Sequence, residues 1–210
     1  MIGQATSVKQ YMLALTGTFV AAIGIRLIVV SGSGADAMST FLLGLMEHVP
    51  LRFGTVSTIF NGLVLVIIFF YDRQLVGIGS IIKSIGLGIC LNLIESAGLL
   101  LSIPDFLDYP AVIAGTVLLG MGTGIYLLAN AGSAAYDSLM IVVQRLLKVS
   151  VKTARIILDG SFFLAGYLLG GTIGLGTLIV LLLMGPSLEL TLKHLPKIKL
   201  FRTKQSNGTS

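Results

Sequence analysis

The chain reads as an all-α polytopic membrane protein with six transmembrane helices. These form two inverted three-helix repeats, each carrying a short re-entrant or interfacial helix. Composition points there first: of 210 residues 55% are hydrophobic and 11% charged, whereas soluble domains carry about 25% charge. The mean hydropathy of +0.98 agrees. The second observation is a set of six apolar stretches long enough to cross a bilayer, and the third is a series of glycine-bearing features that recurs about one hundred residues apart.

A helix rising ~1.5 Å per residue needs about 20 apolar residues to cross a ~30 Å hydrocarbon core. The first candidate is 11–30. It follows Lys9 but contains Arg26 and no clear small-residue cleavage site, so it reads as a retained helix rather than a signal peptide. The second, 53–71, closes at the charged turn Asp72-Arg73-Gln74, and the third, 76–101, stops before Pro104-Asp105. The fourth, 111–130, starts just after Pro110; the fifth, 151–169, and the sixth, 173–192, are separated by Gly170-Gly171. Proline and glycine thus fall mostly where turns are needed.

Segments 31–52 and 131–150 are too polar for confident spans and too apolar for plain loops. In the second, Leu139, Met140, Val142, Val143, Leu146 and Leu147 recur at helical spacing opposite Gln144, Arg145 and Lys148. This describes an amphipathic helix that lies at the interface, dips in and returns, or crosses as a short span. The chain is then one membrane domain over 1–210: repeat 1 at about 10–101, repeat 2 at about 110–192, and a basic tail at 193–210.

Charge placement sets the orientation. With the N-terminus inside, the cytoplasmic segments collect Lys9, Arg73, Arg145, Lys148, Lys152, Lys193, Lys197, Lys199, Arg202 and Lys204, while the outer segments keep Arg52. The positive-inside rule therefore places both termini in the cytoplasm of a multi-pass cell-membrane protein. Tyr11, Tyr71 and Tyr109, at helix ends, suit an interfacial belt in a chain without Trp.

The recurrences are Gly24-Ile25 with Gly124-Ile125, and Gly32-Ser33-Gly34-Ala35 with Gly132-Ser133-Ala134-Ala135. Asn61-Gly62 then matches Asp159-Gly160, Gly77-Ile78-Gly79-Ser80 matches Gly174-Leu175-Gly176-Thr177, and Gly88 matches Gly185. Three crossings is an odd number, so the second copy lies upside down relative to the first. In transporters and channels of that architecture the substrate site or pore sits between the repeats near the midplane.

Several classes are disfavoured. The net charge of +5 forms no basic face with interleaved aromatics, so nucleic acid is not an expected partner. No Cys and His set has metal-ligand spacing, Cys90 has no intramolecular partner, and His48 and His194 fall on opposite sides. Gly77-Gly79 and Gly174-Gly176 follow no Rossmann-type strand and read as tight turns, so neither a cofactor nor catalytic residues are expected.

An ionisable group within the bilayer costs about 2.5 to 3.5 kcal/mol at a helix centre and is a functional candidate by default. Lys83, Glu95 and Glu189 lie near helix ends and read as structural, and Arg26 can snorkel or pair with Glu95. Asp159 is placed deeper, four residues after Arg155 on the same helix face, with Asn61 as its counterpart. A substrate site is therefore expected from Gly32, Ser33, Asp36, Asn61, Gly132, Ser133, Asp137, Arg155 and Asp159. The bland reading is that Arg155 and Asp159 lock helices together, and that Asp36 and Asp137 merely cap the helices that follow.

The run from Gly166 to Thr177 (Gly-Tyr-Leu-Leu-Gly-Gly-Thr-Ile-Gly-Leu-Gly-Thr) with Gly185-Pro186 resembles the signature of the YczE-type membrane proteins, relatives of the YitT group. Asp137-Ser138-Leu139-Met140, and Arg155 followed by Asp159, also resemble that family's pattern. The chain departs from it at Ala134-Ala135-Tyr136, where members commonly place Gly-Pro-Arg, so no role of that Arg carries over. The resemblance implies an integral membrane protein and supplies no substrate. The expected function is a small secondary transporter or permease-like protein for a small solute, not an enzyme; the alternative is a non-transporting scaffold for a biosynthetic or export complex. Besides the lipid bilayer, a second copy of the chain is an expected partner, through glycine-rich helix faces.

Overall fold

The computed structural model describes residues 8–195, and among them the chain is all-helical, with no β-strand. The helices are α1 Val8–Ser31, α2 Ala37–Met46, α3 Phe53–Tyr71, α4 Ile78–Ser96, α5 Asp108–Ala129, α6 Ala135–Leu147, α7 Val151–Leu168 and α8 Leu175–His194. Lys197, Lys199, Arg202 and Lys204 of the expected basic tail lie outside the described residues.

Helices α1, α3, α4, α5 and α8 are each long and apolar enough to cross a membrane. Helix α7 has 18 residues and differs by carrying Lys152, Arg155 and Asp159. The outside of the bundle is apolar: Phe70 is 84% exposed, Leu168 74% and Leu182 70%. Such surfaces suit lipid and would be costly in water. The chain is an all-helical polytopic membrane protein.

The centre is a helix pair made close by glycine. A Cβ on Gly17 of α1 would stand 2.6 Å from the Gly122 carbonyl oxygen of α5, and one on Gly24 would stand 2.5 Å from that of Gly115. Rising numbers in α1 meet falling numbers in α5, so the two run antiparallel with their backbones in contact, as small-residue interfaces permit. These glycine faces are therefore used inside the chain. Helix α4 packs on α1 and α8 on α5. Helix α3 packs on α4, where Asn92 Nδ2 donates to Thr55 Oγ1 at 2.9 Å.

Helices α2 and α6 are too short to span, at ~15 and ~20 Å by a rise of ~1.5 Å per residue. Each follows a glycine elbow and packs on a helix of the other half of the chain, α2 on α7 and α6 on α3, while α6 packs equally on α7 of its own half. Helix α2 is well embedded, with Ala37, Ser39, Thr40, Leu42 and Gly44 buried, whereas α6 buries Ala135 and Ser138 and exposes its last turn.

The elbows match in conformation, but not in the register of glycine identity. Gly32 (φ 63°) corresponds to Asn130 (φ 48°), and Gly34 (φ 114°) to Gly132 (φ 141°). The next helices start from Asp36 and Ala134 with nearly equal angles, ψ 164° and 162°. The expected pairing of Gly32 with Gly132 is thus two residues off, because Asn also tolerates the left-handed conformation that ends a helix.

Two boundaries differ from expectation. Helix α4 ends at Ser96 rather than 101, because Gly98 takes φ 70° and its N–H donates to the Glu95 carbonyl at 3.0 Å. Helix α5 begins at Asp108, before Pro110, since a proline in the first turn removes no helical hydrogen bond.

Candidate functional site

The first turns of α4 and α8 begin with Gly-x-Gly, and this lets each accept an elbow. The N–H of Gly176 donates to the carbonyl of Ser33 at 2.9 Å, and the N–H of Gly79 donates to that of Ala131 at 3.1 Å. Ser80 Oγ and Thr177 Oγ1 accept from Gly77 and Gly174 in equivalent caps, at 3.0 and 3.4 Å. Each half of the chain thus seats its elbow on the other half's last helix. That arrangement carries the N-termini of α2 and α6 to the walls of one cavity.

The cavity has a volume of about 420 Å³, within the few-hundred-Å³ range of small-molecule sites. Its polar wall is Asp36 and Ser39 at the start of α2, Ser57 and Asn61 of α3, Lys83 and Ser84 of α4, Thr123 of α5, Tyr136 and Asp137 of α6, and Arg155 and Asp159 of α7. Its apolar wall includes Leu42, Phe53, Leu119, Phe163, Val180 and Met184. Helices α7 and α8 both line it but do not pack along their lengths, whereas α3 and α4 do.

Of the residues expected at a site, Asp36, Asn61, Asp137, Arg155 and Asp159 meet at this cavity. Gly32, Ser33, Gly132 and Ser133 do not line it. The Ser33 carbonyl is taken by Gly176 and the Gly132 carbonyl by the Tyr126 hydroxyl, at 2.8 Å. Their part is to shape the elbows that aim the neighbouring carboxylates.

Asp36 caps α2, its Oδ2 accepting from the Ser39 N–H at 3.2 Å. Asp137 is not a cap, which corrects that part of the bland reading. The cap position of α6 is Ala134, and Ser84 Oγ of α4 accepts the Ala135 N–H at 2.8 Å in its place. This leaves the Asp137 side chain to the cavity wall.

On α7 the four-residue spacing brings Arg155 Nε to 3.7 Å from Asp159 Oδ2. Tyr136 of α6 donates its hydroxyl to Asp159 Oδ1, and the Arg155 guanidinium stands 5.8 Å from the Tyr136 ring centroid. Asn61 Nδ2 turns back to its own helix, donating to the Ser57 carbonyl at 2.9 Å. Among the described residues, two ionisable side chains carry a buried atom without a hydrogen-bond partner: Asp36 at Oδ1 and Lys83 at Nζ.

Sequence reading missed Lys83 and Tyr136. Lys83 lies in the second turn of α4, where a long side chain can snorkel, yet it is 8% exposed and packs 5.3 Å from the Tyr126 ring centroid. The available signal was its place on one helix face with Ser80 and Ser84, a polar stripe that faces inward. Tyr136 was noticed as a departure from the resembled pattern; its position beside Asp137, opposite a helix bearing Asp159, was the clue to a partner.

Outside the cavity, ion pairs join the ends of helices. Arg26 Nη1 lies 3.3 Å from Glu95 Oε2, as one expected alternative had it, and Arg52 Nε approaches Glu95 Oε1 at 3.8 Å. At the opposite end Arg145 Nη1 meets Asp72 Oδ2 at 2.5 Å and, together with the Gln74 N–H, holds that carboxyl below its ordinary range.

Comparison with known proteins gives a consistent result. Residues 8–193 match the family model DUF6198, described as a family of unknown function. The chain is 28% identical to the uncharacterized protein YyaS of Bacillus subtilis (strain 168), over 84% of this chain and 89% of that one. It is 25% identical to the uncharacterized membrane protein YczE of the same organism, over 88% and 86%. An uncharacterized protein of Haemophilus influenzae is 26% identical, over 90% and 86%. No solved structure matches significantly.

Proposed function

The chain belongs to the family DUF6198, of YczE type as the sequence resemblance indicated, and from that premise we propose that it is a small solute carrier. Its site is the cavity of about 420 Å³ enclosed by both halves. The observation that carries this reading is the cavity's make-up. Asp36, Lys83, Asp137, Arg155 and Asp159 line one hollow inside a bundle whose exterior is apolar. Charges inside a membrane protein concentrate on substrate and ion pathways, because their desolvation cost needs a functional return.

The halves are read as inverted repeats, with six crossings once α7 is counted and with both termini in the cytoplasm. The antiparallel α1–α5 pair, the reciprocal Ser33–Gly176 and Ala131–Gly79 hydrogen bonds, and the exchange of α2 and α6 between halves support that reading. Such an arrangement lets one half rock against the other about a fixed central site. Helices α3 and α4 pack together whereas α7 and α8 do not, so the two halves are not equivalent around the cavity.

The test is uptake by the full chain in liposomes, using a panel of radiolabelled amines, amino acids and organic acids. Saturable uptake that falls with Asp159→Asn and Asn61→Ala is the expected result. No uptake above protein-free liposomes, or flux indifferent to both substitutions, counts against the site.

A further inference from the structure

The ionisable side chains of the cavity are unequal in number: three acids, Asp36, Asp137 and Asp159, face two bases, Lys83 and Arg155. Arg155 is engaged with Asp159 at 3.7 Å. Lys83 Nζ makes no hydrogen bond, but it packs against the Tyr126 ring and has Asp137, of opposite sign, as its electrostatic neighbour. Asp36 remains. Its Oδ2 accepts the Ser39 N–H, its Oδ1 is buried with no partner, and the charge acting on it from α7 is that of Asp159, of its own sign.

We infer that the cavity binds an organic cation, an ammonium group carried on an apolar body. This rests on the carrier reading above and names its substrate class. The ammonium donates to Asp36 Oδ1, an acceptor that the fold leaves without a partner, and supplies a third cation against the three acids; a buried unpaired carboxylate oxygen favours such a partner. The rings of Tyr136 and Phe163 add aromatic faces, which attract cations. Leu42, Phe53, Leu119 and Met184 form the wall for the apolar body. A ligand carboxylate at Asp36 meets repulsion instead. A bare alkali ion finds one free carboxylate oxygen beside apolar wall, well short of the oxygens it needs to replace its hydration shell.

The test uses the purified full chain in detergent and three probes sharing one phenethyl body: phenethylammonium, 2-phenylethanol and 3-phenylpropanoate. Binding is read by thermal stabilisation and by equilibrium binding of radiolabelled phenethylammonium. The expected result is a preference for the ammonium of about tenfold or more over the other two, equivalent to ~1.4 kcal/mol. Asp36→Asn keeps a capping side chain while removing the charge, and it is expected to lower ammonium binding to the level of the alcohol. If that variant does not fold, Asp36→Ser, also a capping residue, takes its place.

Tightest binding of the carboxylate, with Lys83 as the recognising group, overturns the inference. So does equal stabilisation by sodium chloride alone, or ammonium binding indifferent to Asp36. Uptake of phenethylammonium into liposomes is measured separately. Binding without uptake upholds the ligand class and overturns the carrier reading. Asp159-dependent uptake of an anion upholds the carrier and overturns the class.

Discussion

The main-chain N–H of Gly176, in the first turn of α8, donates to the carbonyl of Ser33 in the elbow after α1, at 2.9 Å. A Cβ at Gly176 would lie 2.7 Å from that oxygen, so the contact exists only while residue 176 has no side chain. Gly176→Val is expected to push the elbow away and cost on the order of 2 kcal/mol, as overpacking does. Gly62→Ala, where a Cβ meets nothing within 4 Å, is expected to hold or raise stability, because Ala favours helix over Gly by about 1 kcal/mol. The temperature at which each variant loses its monodisperse size-exclusion peak compares them.

Tyr136, Asp159 and Arg155 form one unit, a hydrogen bond and an ion pair sharing the Asp159 carboxyl, that joins α6 to α7. Tyr136→Phe and Arg155→Gln are each expected to lower stability, and the double variant to lose less than the sum. A coupling of about 0.5 to 3 kcal/mol is normal for residues that share a partner. Additive losses in a denaturant titration would show that the three act independently.

Gly185 lines the cavity from α8, and a Cβ there meets nothing within 4 Å. Gly185→Leu is therefore expected to fit the fold while occupying the cavity. Thermal stability should stay near that of the parent, and liposome uptake of phenethylammonium should fall about tenfold or more, since the ligand loses the volume it needs. Full uptake by a stable Gly185→Leu protein would move the pathway elsewhere.

The Asp72–Arg145 pair lies at the turn after α3, outside the spans, and Arg145 holds the Asp72 carboxyl below its ordinary value of 3.8. A carboxylate depressed in the folded state stabilises above its unfolded pKa and loses that contribution as pH falls through the folded value. Parent protein and Asp72→Asn should therefore differ most near neutral pH and converge below about pH 4. Because the pair is exposed the difference is small and should shrink further in high salt. Melting curves from pH 3 to 8 at two ionic strengths follow it.

Under the inverted arrangement proposed above, the two elbows belong at opposite faces. In a Cys90→Ala background, a membrane-impermeant maleimide is expected to label Ser33→Cys in intact cells, and Ser133→Cys only after permeabilisation. Labelling of both from one side would exclude inverted repeats.

Much of the fold could be read from residue order. All six stretches expected to span are helices, because each depends on local apolar length and on a nearby glycine, proline or charged turn. The elbow register could not be read, since Asn130 does the work of a glycine and leaves no matching letter. Arg155 and Asp159 were legible as site candidates from charge within an apolar span, Asn61 as the repeat counterpart of Asp159, and Asp36 and Asp137 from their place beside the glycine elbows. Lys83 was not, because depth along a helix says nothing about the side it faces until α5 and α6 are packed against it.

Amino-acid order alone determined the solvent, the helical class and where most turns fall to within a few residues. These follow from short-range chemistry: apolar length against bilayer thickness, and backbone freedom at glycine and proline. The tertiary structure decided which helix each elbow is seated on, which buried carboxylate oxygen is left without a partner, and where the hollow lies. Each of those depends on contacts between residues far apart in the chain, such as Ser33 with Gly176 and Tyr136 with Asp159, and interhelical packing alone brings such residues together.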